Sequence, residues 1–152
     1  MIFTAEKDGF IISTDKQQLD ITSIHQYLSK EAYWCKNIPM EIVKRSIENS
    51  VCFGMYHEKR QFGFARVITD KASFGYLADV FIIDDYRGRG LSKWLMQCIL
   101  AHPELQGFRS WLLGTRDAHG LYSQFGFKTL EHPERFMRLG LVTEYPSPDE
   151  NK

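Results

Sequence analysis

The sequence predicts an α+β fold: a central mixed, mostly antiparallel sheet flanked by helices. Three observations carry this. Apolar residues in the first third recur at helical spacing, as Ile21, Ile24 and Leu28 and then as Met40, Val43 and Ile47. Between residues 51 and 83, three apolar, aromatic-rich runs are separated by short polar turns, as in an antiparallel meander. Finally, a strand-like run passes through a glycine-rich turn into an amphipathic helix and on to another strand. A strand-helix-strand crossover of that kind predicts a parallel pair.

In chain order, Phe10 to Ser13 reads as a short strand. Asp20 is placed to cap the first helix, and Pro39 suits the first position of the second. Val51 to Tyr56 turns through Glu58-Lys59-Arg60 into Phe62 to Ile68. Asp70 to Ser73 turns again into the long run Phe74 to Ile83. Leu91, Trp94, Leu95, Cys98 and Ile99 mark the apolar face of a third helix, which stops near His102-Pro103. Ser110 to Leu113 is a strand, and a short helix over Gly120 to Phe125 ends at Gly126. Phe136 to Val142 is expected as a last strand. Residues 1–143 read as a single domain and 144–152 as a disordered tail.

Composition bounds the function. The chain has 152 residues, enough for one well-cored domain. Nineteen basic and nineteen acidic residues give zero net charge, which argues against a bulk nucleic-acid binder. Three cysteines lack metal or redox spacing and read as buried thiols in a reducing compartment. The N-terminal residues lack a signal-peptide pattern, and no apolar run approaches membrane-spanning length. The expectation is a cytoplasmic protein, with neither membrane nor nucleic-acid partner, monomeric or homodimeric. Five histidines without paired ligand spacing predict no metal, and without a GxSxG turn hydrolase chemistry lacks its nucleophile.

The informative stretch is DVFIIDDYRGRGLSKWL, residues 79–95. Glycines at the start of a helix let several backbone N–H groups converge on an anion, and the helix dipole adds positive potential. Arg87 and Arg89 contribute charge. A diphosphate fits, yet both the P-loop pattern and the third glycine of a dinucleotide fingerprint are missing.

Arg87-Gly88-Arg89-Gly90-Leu91-Ser92 resembles the acetyl-CoA motif of the GCN5-related N-acetyltransferase (GNAT) superfamily, Arg/Gln-x-x-Gly-x-Gly/Ala, with Ser92 at its last place. TRDAHGLYSQFGF, residues 115–127, is similar to the family's later motif, with Ala118, Tyr122, Gly126 and Phe127 in place and Thr115 where Asn is common. The resemblance covers about residues 76–127. It implies a GNAT-like fold splayed between the strands at 74–83 and 109–114, with acetyl-CoA as co-substrate. It also implies direct acetyl transfer to a primary amine of a small molecule or protein. The cofactor would meet Val80, Phe81 and Ile82 through their backbones, the turn 87–92, and Thr115, Ala118 and His119.

Tyr122 stands where the family's tyrosine protonates the leaving thiolate; without the motif it reads first as a core aromatic. Asp79 is a carboxylate inside a half-buried strand, which is costly unless paired or used. It is a base or cation site on one reading, a structural salt bridge on the other. His119 lies one turn before Tyr122 and serves the cofactor, Tyr122 or the helix cap. Tyr33 and Trp34 lie between the first two helices and either wall the acceptor site or pack in the core. Two further functional classes stay open: a non-catalytic acyl-CoA binding module, and an RNA-binding module. The latter rests on RQFGFARV, residues 60–67, which partly matches an RNA-recognition strand with its aromatics on one face.

Overall fold

Why the sheet has two differently covered faces follows from its middle strands. The computed structural model describes residues 1–142 and 144–151. Six strands lie in chain order: β1 (Thr4–Lys7), β2 (Phe10–Ser13), β3 (Val51–His57), β4 (Arg60–Thr69), β5 (Phe74–Ile82) and β6 (Ser110–Leu113). Neighbours are antiparallel except β5 and β6, which are parallel as the crossover predicts. Helices α1 (Ile21–Lys30) and α2 (Met40–Glu48) bury Ile24, Leu28, Val43 and Ile47 against Cys52, Phe64 and Phe81. On the other face, α3 (Leu91–Ala101) and α4 (His119–Ser123) bury Leu95, Ile99 and Tyr122 in a core with Phe53, Phe62 and Val67.

Local signals hold with small corrections. Asp20 caps α1, accepting from the Ser23 N–H at 3.1 Å and its hydroxyl at 2.7 Å. Pro39 stands one place earlier than expected, as the N-cap of α2, because its carbonyl already accepts from Val43. Gly126, at φ +94°, closes α4, and the Phe127 N–H returns to the Tyr122 carbonyl at 3.3 Å. Strand β1 escapes sequence reading although Asp8-Gly9, both at positive φ, is a strong hairpin turn.

Two expectations are overturned. The aromatics of residues 60–67 do not share a face. Met55 and Tyr56 pair with Gly63 and Gln61, so Phe62 is an extra residue that re-aims the strand. Phe62 then enters the α3–α4 core and Phe64 the α1–α2 core, both fully buried, leaving no exposed pair to stack on bases. The last strand is also missing among the described residues: 136–142 makes no ladder with them, and its side chains are exposed. Downstream, Tyr145 packs beside the α1–α2 core and Pro148–Asn151 forms a 3-10 turn. Thr143, the last residue of the expected domain, and Lys152, in the expected tail, lie outside the described residues.

The buried acids predict alkaline lability. Burial pushes the Cys52 thiol up to about 11 and the Tyr122 phenol up to about 12. Unfolded, these groups ionise near 8.5 and 10. Their folded values lie above the unfolded ones, so the stabilisation is complete below about pH 8.5 and is lost as pH rises towards 11–12. Each group that only the unfolded chain has ionised costs about 1.4 kcal/mol per pH unit. Urea titrations under reducing conditions should show the midpoint falling steadily from pH 8.5 to 10.5. A flat profile would contradict the burial of these groups.

Candidate functional site

The site begins where β5 loses its neighbours. Its ladder to β6 runs from Phe74↔Ser110 to Leu77↔Leu113 and stops there. Beyond that point Ala78–Ile82 has no partner on the β6 side among the described residues, and the two strands splay as expected. The cause lies on the opposite edge. Phe64 pairs with Phe81 but Arg66 with Ala78, so Ala65 alone opposes Asp79 and Val80. This bulge turns on Asp79, whose φ of +53° is left-handed and costs a non-glycine residue about 1–2 kcal/mol.

Two bonds hold the strained residue. Asp79 Oδ2 accepts from Arg66 Nε at 3.0 Å, and Oδ1 accepts from Trp34 Nε1 at 2.8 Å. Arg66 also donates to the Ser50 hydroxyl at 3.0 Å. The Arg66 and Asp79 side chains are 14% and 11% exposed, so this is a nearly dry ion pair. The carboxylate has its structural partners, and each oxygen retains a further lone pair.

After β5, Asp84–Tyr86 forms a 3-10 turn, and Gly88 and Gly90 both take φ +76°. Gly90 is the N-cap of α3, with no side chain capping the helix. The first-turn N–H groups of Leu91, Ser92 and Lys93 therefore have no intrahelical acceptor. A Cβ built on Gly88 or Gly90 meets nothing within 4 Å, so the turn opens to solvent. Arg87, exposed at the turn, already has partners within the chain. Its Nε donates to the Ile82 carbonyl at 2.8 Å, a terminal nitrogen donates to Tyr27 Oη at 3.0 Å, and it pairs with Asp84. It fixes the turn from behind. Arg89 donates to the Asp85 carbonyl at 3.1 Å and lies 5.4 Å over the Tyr86 ring.

Along β5, Val80 packs against the α3 side, while Phe81 stacks on Tyr27 at 3.9 Å on the α1 side. Their side chains are core; their main chain borders the splay. Across the gap, the Thr115 hydroxyl accepts from the Ala118 N–H at 3.0 Å, and the Ala118 carbonyl accepts from Leu121 and Tyr122 to start α4. His119 is exposed at the first helical position and makes no hydrogen bond among the described residues. Tyr122 is buried, 6.0 Å edge-on from Phe127. Burial, and secondarily Tyr33, pushes its phenol up to about 12.

Tyr33 and Trp34, set edge to face at 5.1 Å, close the opening. Trp34 reaches Asp79, as above. Tyr33 Oη accepts from the Arg116 N–H at 3.0 Å, and the Arg116 guanidinium stacks 4.0 Å over its ring. The α1–α2 loop is thus tied to both sides of the splay. Both aromatics are about half exposed rather than packed in the core.

The structure therefore gathers Asp79, Trp34, Tyr33, Thr115 and Ala118 around the gap between β5 and β6, with the glycine turn at its end. Sequence reading missed Arg66, Arg116 and Tyr27. Arg66 was accessible: it is a cation between Ala65 and Val67, and the hairpin register set by Thr69↔Gly75 places it opposite residue 78. Arg116 and Tyr27 have no comparable local signal.

Comparison with known proteins agrees with this geometry. The family model of the acetyltransferase (GNAT) domain matches residues 48–129. A solved Xanthomonas campestris protein of the GNAT family is 46% identical, with TM-score 0.86 over 91% of this chain and 96% of its own. A Gibberella zeae protein named as an acetyltransferase is 29% identical over 145 residues, 80% of this chain and 81% of its own. A Clostridium acetobutylicum structure with acetyl-CoA has the same fold, with TM-score 0.64 at 14% identity over 93% of this chain and 97% of its own. With its glycine turn and splayed strands inside a family match covering more than half its length, this chain belongs to the GNAT family of acetyltransferases.

Proposed function

We propose that the protein transfers the acetyl group of acetyl-CoA directly to a primary amine, without an acyl-enzyme. The observation that carries this reading is the unpaired edge Ala78–Ile82, in line with the open glycine turn. An amide-rich arm can add to that edge as a strand would, with its diphosphate on the N–H groups from Gly88 to Ser92. Thr115, Ala118 and His119 flank the arm from the other side.

The residues divide the chemistry. A main-chain N–H within Val80–Ile82 meets the carbonyl oxygen as charge develops on it. The neutral amine's nitrogen bonds to the carbonyl carbon, the carbon–sulfur bond breaks, Tyr122 gives its proton to the departing sulfur, and the proton the nitrogen sheds returns through solvent to the phenolate. Tyr33, Trp34 and Asp79 form the acceptor wall. Asp79 keeps free lone pairs facing a cationic amine, while its bonds to Arg66 and Trp34 hold it in place. The thiols are poor nucleophiles: burial pushes Cys35 up to about 12 and also raises Cys98.

The test pairs calorimetry with an amine panel read by free-thiol release. Coenzyme A should bind the wild type, and acetyl-CoA should release thiol only with an amine present. Gly90→Val should weaken that binding at least about tenfold, since a β-branched residue at φ +76° is strained and its side chain enters the anion's space. Binding without amine-dependent release across the panel would make this a sensing module. No binding by folded protein would end the proposal.

A further inference from the structure

The aromatic wall at the splay has a negative end and a positive end. At one end the Asp79 carboxylate accepts from Trp34 Nε1 at 2.8 Å. Trp34 stands edge to face with Tyr33, ring centroids 5.1 Å apart. At the other end the Arg116 guanidinium lies over the Tyr33 ring, 4.0 Å from its centroid. Carboxylate, two rings and guanidinium form a row, which puts the two charges on the order of 10 Å apart.

The two poles differ in what they already hold. Asp79 is nearly dry and has Arg66 behind it. Arg116 faces water: its side chain is 64% exposed and donates no hydrogen bond among the described residues. Asp117 lies 3.5 Å from it and is 70% exposed, and an ion pair so open to water is worth little. The guanidinium's N–H donors are therefore available to a ligand.

A long exposed side chain is ordinarily free to wander, but residue 116 grips Tyr33 twice. Its main-chain N–H donates to Tyr33 Oη at 3.0 Å, and its guanidinium covers the ring face. Stacking keeps the guanidinium's plane and its fork of donors pre-set, so less freedom is lost when a planar anion arrives. The connection from β6 to α4 that carries Arg116 lies outside both cores, so packing does not require this arrangement. It is close to the chemistry nonetheless. Thr115 and Ala118, on either side in the chain, border the gap, and the Tyr33 hydroxyl is near enough to Tyr122 to act on its phenol.

We propose, resting on the acetyl-transfer reading above, that the acceptor is a small amino carboxylate whose amine end meets Asp79, whose chain lies along Trp34 and Tyr33, and whose carboxylate is taken by Arg116. The guanidinium's parallel N–H groups match the two oxygens of a carboxylate. An α-, β- or γ-amino acid fills the span once each pole is in hydrogen-bond contact with its partner. A phosphate dianion suits the place less well, because Asp117 stands beside the same guanidinium and repels the second charge. A lysine side chain of a protein carries no carboxylate at this distance from its amine, so the site separates small amino acids from protein acceptors.

The test offers α-, β- and γ-amino acids with acetyl-CoA, each against its own carboxamide, with 2-aminoethyl phosphate and a lysine-containing peptide alongside, and reads free thiol. The best amino acid should have a kcat/KM at least about tenfold above that of its amide, the effect of hydrogen bonds to a charged group. Arg116→Gln should lower the ratio of those two kcat/KM values at least about tenfold. Arg116→Lys keeps the charge but loses the fork and the stack, and its ratio should fall between the two. Circular dichroism melts check that both variants fold. Turnover of the amides, the phosphate or the peptide that equals or exceeds that of the amino acids would overturn the carboxylate site and leave acetyl transfer standing. A carboxylate preference that survives in folded Arg116→Gln would overturn it too. If coenzyme A binds but none of these amines releases thiol, both the carboxylate site and the transfer reading fall.

Discussion

Tyr122→Phe should lower kcat about 10²-fold or more and leave coenzyme A affinity within about threefold. Proton donation by a positioned side chain typically contributes 10²–10⁴-fold. The substitution removes only the hydroxyl, which makes no hydrogen bond among the described residues, so no buried partner is orphaned. The ring keeps its place in the core and its edge-on contact with Phe127. Thermal stability should therefore stay close to wild type, separating a chemical defect from a folding defect. The pH profile adds a second test. With the phenol pushed up to about 12, Tyr122 remains a proton donor throughout the assay range. The acceptor amine, near 10.4 for a lysine-like group, must lose a proton to attack. The wild-type kcat/KM should thus climb with pH and show no descending limb below about pH 10. Unimpaired turnover in Tyr122→Phe would remove this residue from the chemistry.

What the sequence revealed and what it hid divide along physical lines. The glycine turn, the parallel crossover and the short helix carrying Tyr122 were legible because each is encoded locally, by residues that must be glycine at positive φ or by apolar spacing. The bulge at Asp79 was not, since it depends on two strands counting differently between Phe64 and Arg66. The same limit hid the bulge at Phe62, so two aromatics at strand spacing were read as one face when they occupy two cores. Residues 136–142 show a third limit. A last strand was expected there, but a strand exists only with a partner, and among the described residues 136–142 pair with nothing. Arg87 shows what sequence alone leaves out: its bonds to the Ile82 carbonyl, Tyr27 and Asp84 come from residues distant in the chain or in the turn itself.

Arg66→Ala and Asp79→Ala should each destabilise the fold by about 3–5 kcal/mol, the usual cost of leaving one member of a buried ion pair alone. In a domain of this size that is a fall in Tm of roughly 6–20 °C. The larger effect should be on catalysis, because this pair holds the left-handed turn that separates β5 from β6. Replacing both residues by apolar ones, Arg66→Met with Asp79→Leu, removes the unpaired charge and should recover most of the stability. It cannot recover the Trp34 bond, and a β-bulge no longer held by two hydrogen bonds can relax into a regular register that closes the splay. The double variant should therefore be stable yet bind coenzyme A at least about tenfold more weakly. Asp79→Asn separates position from charge. Its amide can still accept from one neighbour, so stability should suffer less than in Asp79→Ala, and coenzyme A should still bind. If the carboxylate also meets the acceptor's cation, the KM for the amine should rise at least about tenfold while coenzyme A affinity stays put. A double variant with wild-type coenzyme A affinity would show that the bulge persists without its ion pair, and the splay would then need another cause.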